Sequence, residues 1–175
     1  MLRGINVSGR NKLPMADLRD LVAAAGGHDV QTYIQSGNAV FTSRRSASTV
    51  ARALETGIEG ALGNRVPVVV RSREELEAVL GANPFLWPGQ DIASLHVTFL
   101  NDAPSPAAVA AATSARSKAT DSDAFEVVGR DVFLRCPHGY GNTKLTNAFF
   151  EKQLGSEATT RNWKTVTRLV EMARG

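Results

Sequence analysis

The order in which hydrophobic periodicities follow one another constrains this chain most. "LRGINV" reads as a short apolar strand, and "NKLPMADLRDLVAAAGG" as a helix with Leu18, Leu21, Val22 and Ala25 on one stripe. Pro14 suits its first turn, and Gly26 and Gly27 end it. "VQTYIQSGNAVFTS" follows as a strand pair, and "SASTVARALETGIEGALG" as a helix with Val50, Leu54, Ile58 and Leu62 spaced by four. "RVPVVVR" is a strand, and "SREELEAVLG" a helix that Ser72 and Glu75 open as a capping box.

The second half repeats that order. "LHVTFL" is a strand, "SPAAVAAATSARSKA" a helix, and "AFEVVGRDVFLRC" a strand pair turning at Gly129-Arg130. "NTKLTNAFFEKQLG" is a helix, "EATTRNW" starts as a weak strand, and "KTVTRLVEMA" is the last helix. The Pro- and Gly-rich "NPFLWPGQDIAS" divides the halves. The expected class is therefore α+β: two ferredoxin-like (βαββαβ) subdomains with antiparallel sheets and helices on one face of each. Residues 1–82 form the first, 83–94 the linker and 95–175 the second.

Turn chemistry fixes an expected register. Gly37-Asn38 as a two-residue type II′ turn sets Ser36 opposite Ala39, Gln35 opposite Val40, Ile34 opposite Phe41 and Tyr33 opposite Thr42. Val30, Thr32, Ile34 and Phe41 then face the helices, while Gln31, Tyr33, Gln35, Val40 and Thr42 lie on the open face. In the second pair Phe125, Val127, Val132, Leu134 and Cys136 face the helices. Glu126, Val128, Asp131, Phe133 and Arg135 take the open face. Tyr33 and Phe133 are thus open-face aromatics, the position RNA-recognition modules use to stack bases. The aromatic-rich motif of those modules is absent, and burial of the two faces against each other or a partner chain is the plainer alternative.

Charge is unevenly spread. The chain of 175 residues carries a net +3. From Ser72 to Asp131, nine acidic residues oppose four basic ones, whereas from Val132 to Gly175 seven basic residues oppose three acidic ones. Arg3, Arg10 and Lys12 crowd the start with no acid beside them. Basic ends favour anionic partners, with ordinary solubilising charge as the alternative. No run of about 18 apolar residues exists, which excludes a membrane-spanning helix. The polar start, without an apolar signal segment, and the lone Cys136 point to a cytoplasmic protein.

Catalytic and cofactor signatures are sparse. Gly4 and Gly9 have the spacing of a phosphate-binding loop, but Arg10 and Asn11 stand where such a loop needs Lys and Ser/Thr. A polar loop with Arg10, Asn11 and Lys12 remains, able to hold an anion or to be a solvated turn. His28, His96 and His138 have no metal spacing, one Cys builds no zinc site, and no cofactor is implied. Asn142 or Thr143 is the expected cap of the helix after "HGYG", with Lys144 in its first turn. A cation there opposes the helix dipole unless an anion sits nearby. Trp163 heads an apolar stripe with Val166, Leu169 and Val170 and reads as core.

"LRGINVSGRNK", "TYIQSGNAVF", "GYGNTKLTNAFFEKQLG" and "ATTRNWKTV", in that order, resemble the bacterial family called domain of unknown function 1697. The resemblance spans almost the whole chain and implies paired ferredoxin-like subdomains, without an activity, substrate or catalytic residue. Members usually carry a few apolar residues before the Leu-Arg-Gly-Ile-Asn string, whereas here Met1 precedes Leu2 directly. A clipped first strand or a misassigned start is the expectation.

The polar residues of these strings are the expected ligand-binding set: Arg3, Asn6, Asn11, Lys12, Gln35, Ser36, Asn38, Tyr140, Lys144, Arg161 and Asn162. Capping accounts for some, Asn38 and Asn162 above all. A groove between the halves is their expected meeting place. The leading functional expectation is a module that binds an anionic ligand, either nucleic acid or nucleotide-like. The alternatives are an enzyme on a small phosphorylated or carboxylated substrate, with Tyr140, Lys144 or Arg161 in its site, and a structural or regulatory homo-oligomer, expected as a homodimer in solution.

Overall fold

The structure is a computed structural model and describes residues 1–7, 11–116 and 122–175. It is an α+β protein with six α-helices and two antiparallel sheets among the described residues. The chain divides into two compact units. Unit 1 comprises Met1–Leu76 with Leu169–Gly175, and unit 2 comprises Glu77–Arg168.

In chain order the elements are α1 (Met15–Ala24), β1 (His28–Tyr33), β2 (Asn38–Thr42), α2 (Ala47–Leu62) and α3 (Arg73–Ala82), followed by β3 (Leu95–Leu100), α4 (Pro106–Arg116), β4 (Ala124–Val128), β5 (Asp131–Arg135), α5 (Asn147–Leu154), β6 (Ala158–Asn162) and α6 (Trp163–Arg174). The expected helix over "SPAAVAAATSARSKA" runs to Arg116, and its remainder lies outside the described residues.

In unit 1, α2 is set by its ends and its stripe. The Ser46 hydroxyl accepts from Thr49 N, Gly63 stops the helix at φ 73°, and Val50, Leu54 and Ile58 are buried. They share a core with Leu18 and Val22 of α1, with Leu2, Ile5 and Leu13, and with Val66 and Val68. The Ser72–Glu75 capping box forms as expected: Ser72 N donates to Glu75 Oε2 at 2.8 Å and Glu75 N to Ser72 Oγ at 3.2 Å. Two expected strands do not extend. "LRGINV" and "RVPVVVR" meet in one antiparallel bridge, Leu2 with Val68. The backbone leaves extended geometry at Gly4 and Asn6, whose φ angles are 65° and 55°.

The first hairpin departs from the expected register. Tyr33 pairs with Asn38, Thr32 with Ala39 and Gln31 with Val40, so the loop is residues 34–37 rather than a two-residue turn. Asn38 joins the strand fully buried, and its Nδ2 donates to Ser36 Oγ at 2.9 Å and Tyr33 O at 3.3 Å. Contacts outside the hairpin decide the turn. Leu2 N donates to Gly37 O at 2.9 Å, and a Cβ on Gly37 would come within 2.9 Å of Leu2 Cβ. The register moves by four residues, an even number, so Gln31, Tyr33 and Val40 keep a common face and Val30 and Phe41 still pack on the core. Ile34 does not: it takes φ 49° and is 52% exposed.

Unit 2 carries a four-stranded antiparallel sheet in the order β4-β5-β3-β6. The second hairpin has its expected register about Gly129-Arg130, with Val128 opposite Asp131 and Glu126 opposite Phe133. Gly129 adopts φ 60°, as that turn requires. Leu134, Val132, Leu100 and Ala158 meet Ala112 of α4 and Phe150 and Leu154 of α5 in one core. Phe133 was expected on an open face but is buried, 1% exposed, as are its sheet neighbours Val97 and Phe99. A ring so enclosed has no face to offer a base. Trp163, Val166, Leu169 and Val170 are buried along α6, as their spacing required.

Candidate functional site

Seven of the eleven expected site residues fall in two touching loops of unit 1, residues 3–13 and 34–38. Asn6 ties them together. Its Nδ2 donates to Leu13 O and to Gln35 O, both at 2.9 Å, and its Oδ1 accepts from Leu13 N at 2.9 Å. Asn6 N donates to Asn11 O at 3.1 Å, and Asn11 Nδ2 donates to Gly4 O at 3.1 Å. Every functional atom of the Asn6 carboxamide thus replaces a missing backbone partner, the use to which loops put Asn.

Backbone geometry at this junction is unusual. Asn6, Asn11 and Ile34 hold φ angles of 55°, 49° and 49°. Asn tolerates that region because its side chain bonds locally, but a β-branched Ile there is an outlier. Non-glycine residues in this region persist only where surrounding contacts over-determine them, and they gather at ligand clamps and switch regions. The junction also holds the cations. Arg3 is half-buried beside Gly4, and Lys12 is exposed beside Asn11, so their backbones are neighbours through the Asn11–Gly4 bond. Gln35 is exposed, with its carbonyl taken by Asn6, and Ser36 Oγ accepts from Asn38. Arg10, the third cation of the expected loop, lies outside the described residues.

The other four residues lie in unit 2 and separate by role. Asn162 caps α6, its Oδ1 accepting from Thr165 N at 2.8 Å. Lys144 is exposed in the loop before α5 rather than in a first helical turn. That helix starts later than its polar string suggests, because Thr146 is the cap and accepts from Phe149 N at 3.3 Å. Thr143 is turned inward instead, donating to Asp123 Oδ2 at 2.6 Å and accepting from Leu145 N.

Tyr140 and Arg161 belong to a network centred on Thr160 of β6, partly exposed beside the buried β3. Tyr140 Oη donates to Thr160 Oγ1 at 3.1 Å, Thr160 Oγ1 donates to Asn147 Oδ1 at 2.7 Å, and Thr98 Oγ1 lies 2.7 Å from Thr160 Oγ1. One hydroxyl has one proton and two lone pairs. Having given its proton to Asn147, Thr160 accepts from both Tyr140 and Thr98, which uses its capacity completely. The Tyr140 ring stacks on His96, centroids 4.9 Å apart. His96 Nδ1 faces Ser94 O at 3.3 Å, which makes it the protonated nitrogen. Burial depresses the His96 pKa, and the bond to the Ser94 carbonyl only partly opposes this.

Arg161 donates from one terminal nitrogen to Thr159 Oγ1 and Thr160 O, each at 2.8 Å. Burial lowers its pKa to about 10, so it stays charged at neutral pH. These two bonds fasten β6. His96, Thr98 and Asn147 were missing from the expected site. The signal for His96 and Thr98 was legible as polar residues at alternate positions of "LHVTFL", on the face that Val132 and Leu134 turn to the helices, and Asn147 stood in the polar string that opens α5. Among the described residues no group of three or more His, Cys, Asp and Glu side chains is placed to hold a metal ion.

Together these features define an α+β protein of two units, with a polar cluster in the loops of unit 1 and another on the strands and α5 of unit 2. The chain belongs to the family described as "Protein of unknown function (DUF1697)", whose model matches residues 1–133. That match takes in the Asn6 junction and stops short of Tyr140. Among solved structures the chain is similar to the "conserved bacterial protein SP0830 from Streptococcus pneumoniae", at 25% identity over 99% of this chain and 96% of that one, with a TM-score of 0.72. Comparison with curated proteins gives no match. Among the described residues no helix is long and apolar enough to cross a membrane.

Proposed function

We propose that this protein is a binding module for an anionic ligand of nucleic-acid or nucleotide type, and that the Asn6 junction of unit 1 is where the anion is held. The observation that carries this is the coincidence of Arg3 and Lys12 with three non-glycine residues at positive φ in loops locked by one carboxamide. Cations on a loop that is already ordered lose little freedom on binding, which favours affinity for phosphate. The excess of basic residues at the start of the chain acts in the same direction. The Thr160 network is the weaker candidate, because its central hydroxyl has no bonding capacity left for a substrate.

Both units are read as ferredoxin-like βαββαβ folds. Support comes from the β4-β5-β3-β6 order with α4 and α5 as crossovers in unit 2, and from the Leu2–Val68 bridge beside the β1-β2 hairpin in unit 1.

The test is thermal unfolding at low salt with single-stranded RNA, single-stranded DNA and nucleoside triphosphates. A ligand that binds only the native state stabilises it by about 2.7 kcal/mol at a hundredfold excess over its dissociation constant. A raised midpoint with any of the three supports the proposal. No shift with all three at low salt removes it.

A further inference from the structure

Six large apolar side chains stand exposed among the described residues: Val7, Ile34, Leu86, Trp87, Ile92 and Val128. Scattered singly on a surface, such residues call for no explanation. Val7 and Ile34, 57% and 52% exposed, are not scattered, because both adjoin Asn6. Val7 follows Asn6 in the chain, and Ile34 precedes Gln35, whose carbonyl accepts from Asn6 Nδ2 at 2.9 Å. Of the six, Ile34 alone holds a positive φ, 49°.

The loop fixes Ile34 from both sides. Tyr33 before it pairs with Asn38 and accepts from Asn38 Nδ2 at 3.3 Å, while Gln35 after it is tied to Asn6. At the far end of loop 34–37, Leu2 N donates to Gly37 O at 2.9 Å. Gly, Asn or Asp takes such a turn position at small cost, whereas a branched Cβ crowds the backbone there. A side chain packed in the core would offset that strain, but this one lies in water. Neither the turn nor the core accounts for an Ile at 34. A local rule broken with no gain inside the fold points to a use outside it.

The neighbouring charge says what kind of use. Asn6 N donates to Asn11 O at 3.1 Å, which brings exposed Lys12 next to the same residue. One ammonium and two aliphatic side chains thus adjoin a single anchored Asn. A bare anion engages only the ammonium. A nucleic-acid strand engages both, with a phosphate for the cation and a base for the apolar surface. Bases in a duplex are stacked and paired inside it, whereas those of a single strand offer their faces.

We propose that Ile34 and Val7 form an apolar rest for a base, which makes single-stranded nucleic acid the ligand class of the Asn6 junction. The proposal rests on the anion site proposed at that junction. Lys12 takes a phosphate, and the aliphatic side chains pack on the face of a base. Every base has such a face, so the contact tolerates many sequences. The rest is ordered before the strand arrives, which spares the cost of ordering it on binding.

The experiment separates base from phosphate. Affinities of the full chain for a labelled oligouridine and for an abasic strand of equal length are measured at low salt. The two probes carry the same backbone charge. Oligouridine is expected to bind about tenfold tighter. Ile34→Gly should remove most of that difference, leave the abasic affinity unchanged and keep or raise the melting temperature, since glycine takes the left-handed backbone freely. Val7→Ser, at a side chain more than half exposed, should reduce the difference without touching the fold. Equal binding of the two strands by the unaltered protein overturns the rest and leaves the anion site standing. No binding of either strand removes both. A difference that survives Ile34→Gly and Val7→Ser overturns the place given to the base.

Discussion

The carboxamide of Asn6 holds Gln35: Asn6 Nδ2 donates to the Gln35 carbonyl at 2.9 Å, across 29 residues of chain. The same group donates to Leu13 O and accepts from Leu13 N. Three backbone partners therefore depend on one side chain. Asn6→Ala is expected to lower stability by about 2–4 kcal/mol, since each partly buried group left unpaired costs about 1–3 kcal/mol and water recovers part of it. Urea unfolding monitored by circular dichroism checks this. Asn6→Asp, which keeps the acceptor but turns a carboxylate oxygen on the Leu13 and Gln35 carbonyls, should cost at least as much.

Gly37 and Gly63 have nearly the same φ, 74° and 73°, in different surroundings. A Cβ on Gly37 would press on Leu2 Cβ at 2.9 Å, whereas one on Gly63 meets nothing within 4 Å. Gly63→Ala should cost only the left-handed backbone penalty, about 1–2 kcal/mol. Gly37→Ala should cost at least about 1 kcal/mol more, from overpacking against the first residues. Chemical denaturation of the pair checks the difference.

Burial raises the Cys136 thiol pKa from 9.0 to about 11. In the unfolded chain it ionises first, so between about pH 9 and pH 11 the folded state binds more protons. The thiol's contribution is therefore complete below pH 9 and is lost as pH rises through 11. At about 1.36 kcal/mol per unit the loss is at most roughly 3 kcal/mol. Cys136→Ala should flatten that limb of the stability curve while lowering stability at pH 7.

His96 has the opposite sign. Its folded pKa lies below the ordinary value of 6.5 because burial disfavours the cation. As pH falls below 6.5 the unfolded state takes up a proton that the folded state refuses, so stability declines from that point downward. His96→Gln should remove this part of the acid limb. Comparing unfolding free energies of the two proteins between neutral and mildly acidic pH checks it.

Much of this fold was legible where a decision is local. The second hairpin formed in its expected register because Gly129-Arg130 is a self-sufficient turn and the alternation around it has one solution. The caps at Ser72 and Asn162 were legible for the same reason. The first hairpin was misread because Gly37 serves Leu2 as well as its own turn, and no pattern within "TYIQSGNAVF" announces a partner 35 residues away. The cap expected at Asn142 or Thr143 belongs to Thr146, and Asp123 draws the Thr143 hydroxyl inward. Of the expected site, the Asn6 junction holds together. The apparent excess of polar residues there is largely structural, with Asn6, Asn11, Ser36 and Asn38 all bonded within the loops. What stands at the surface beside them is Lys12, with Arg3 half-buried next to Gly4.

The most direct test of that arrangement is the salt dependence of RNA binding, measured by fluorescence anisotropy with a labelled single-stranded RNA from about 50 to 200 mM salt. The account predicts binding that weakens linearly in log–log coordinates. Lys12→Ala should weaken it across sequences and reduce the slope by about 0.7, the release expected for one single-strand phosphate contact. Undetectable binding at the lowest salt would contradict the nucleic-acid form of the account, and a slope unchanged by Lys12→Ala would contradict the place given to the anion.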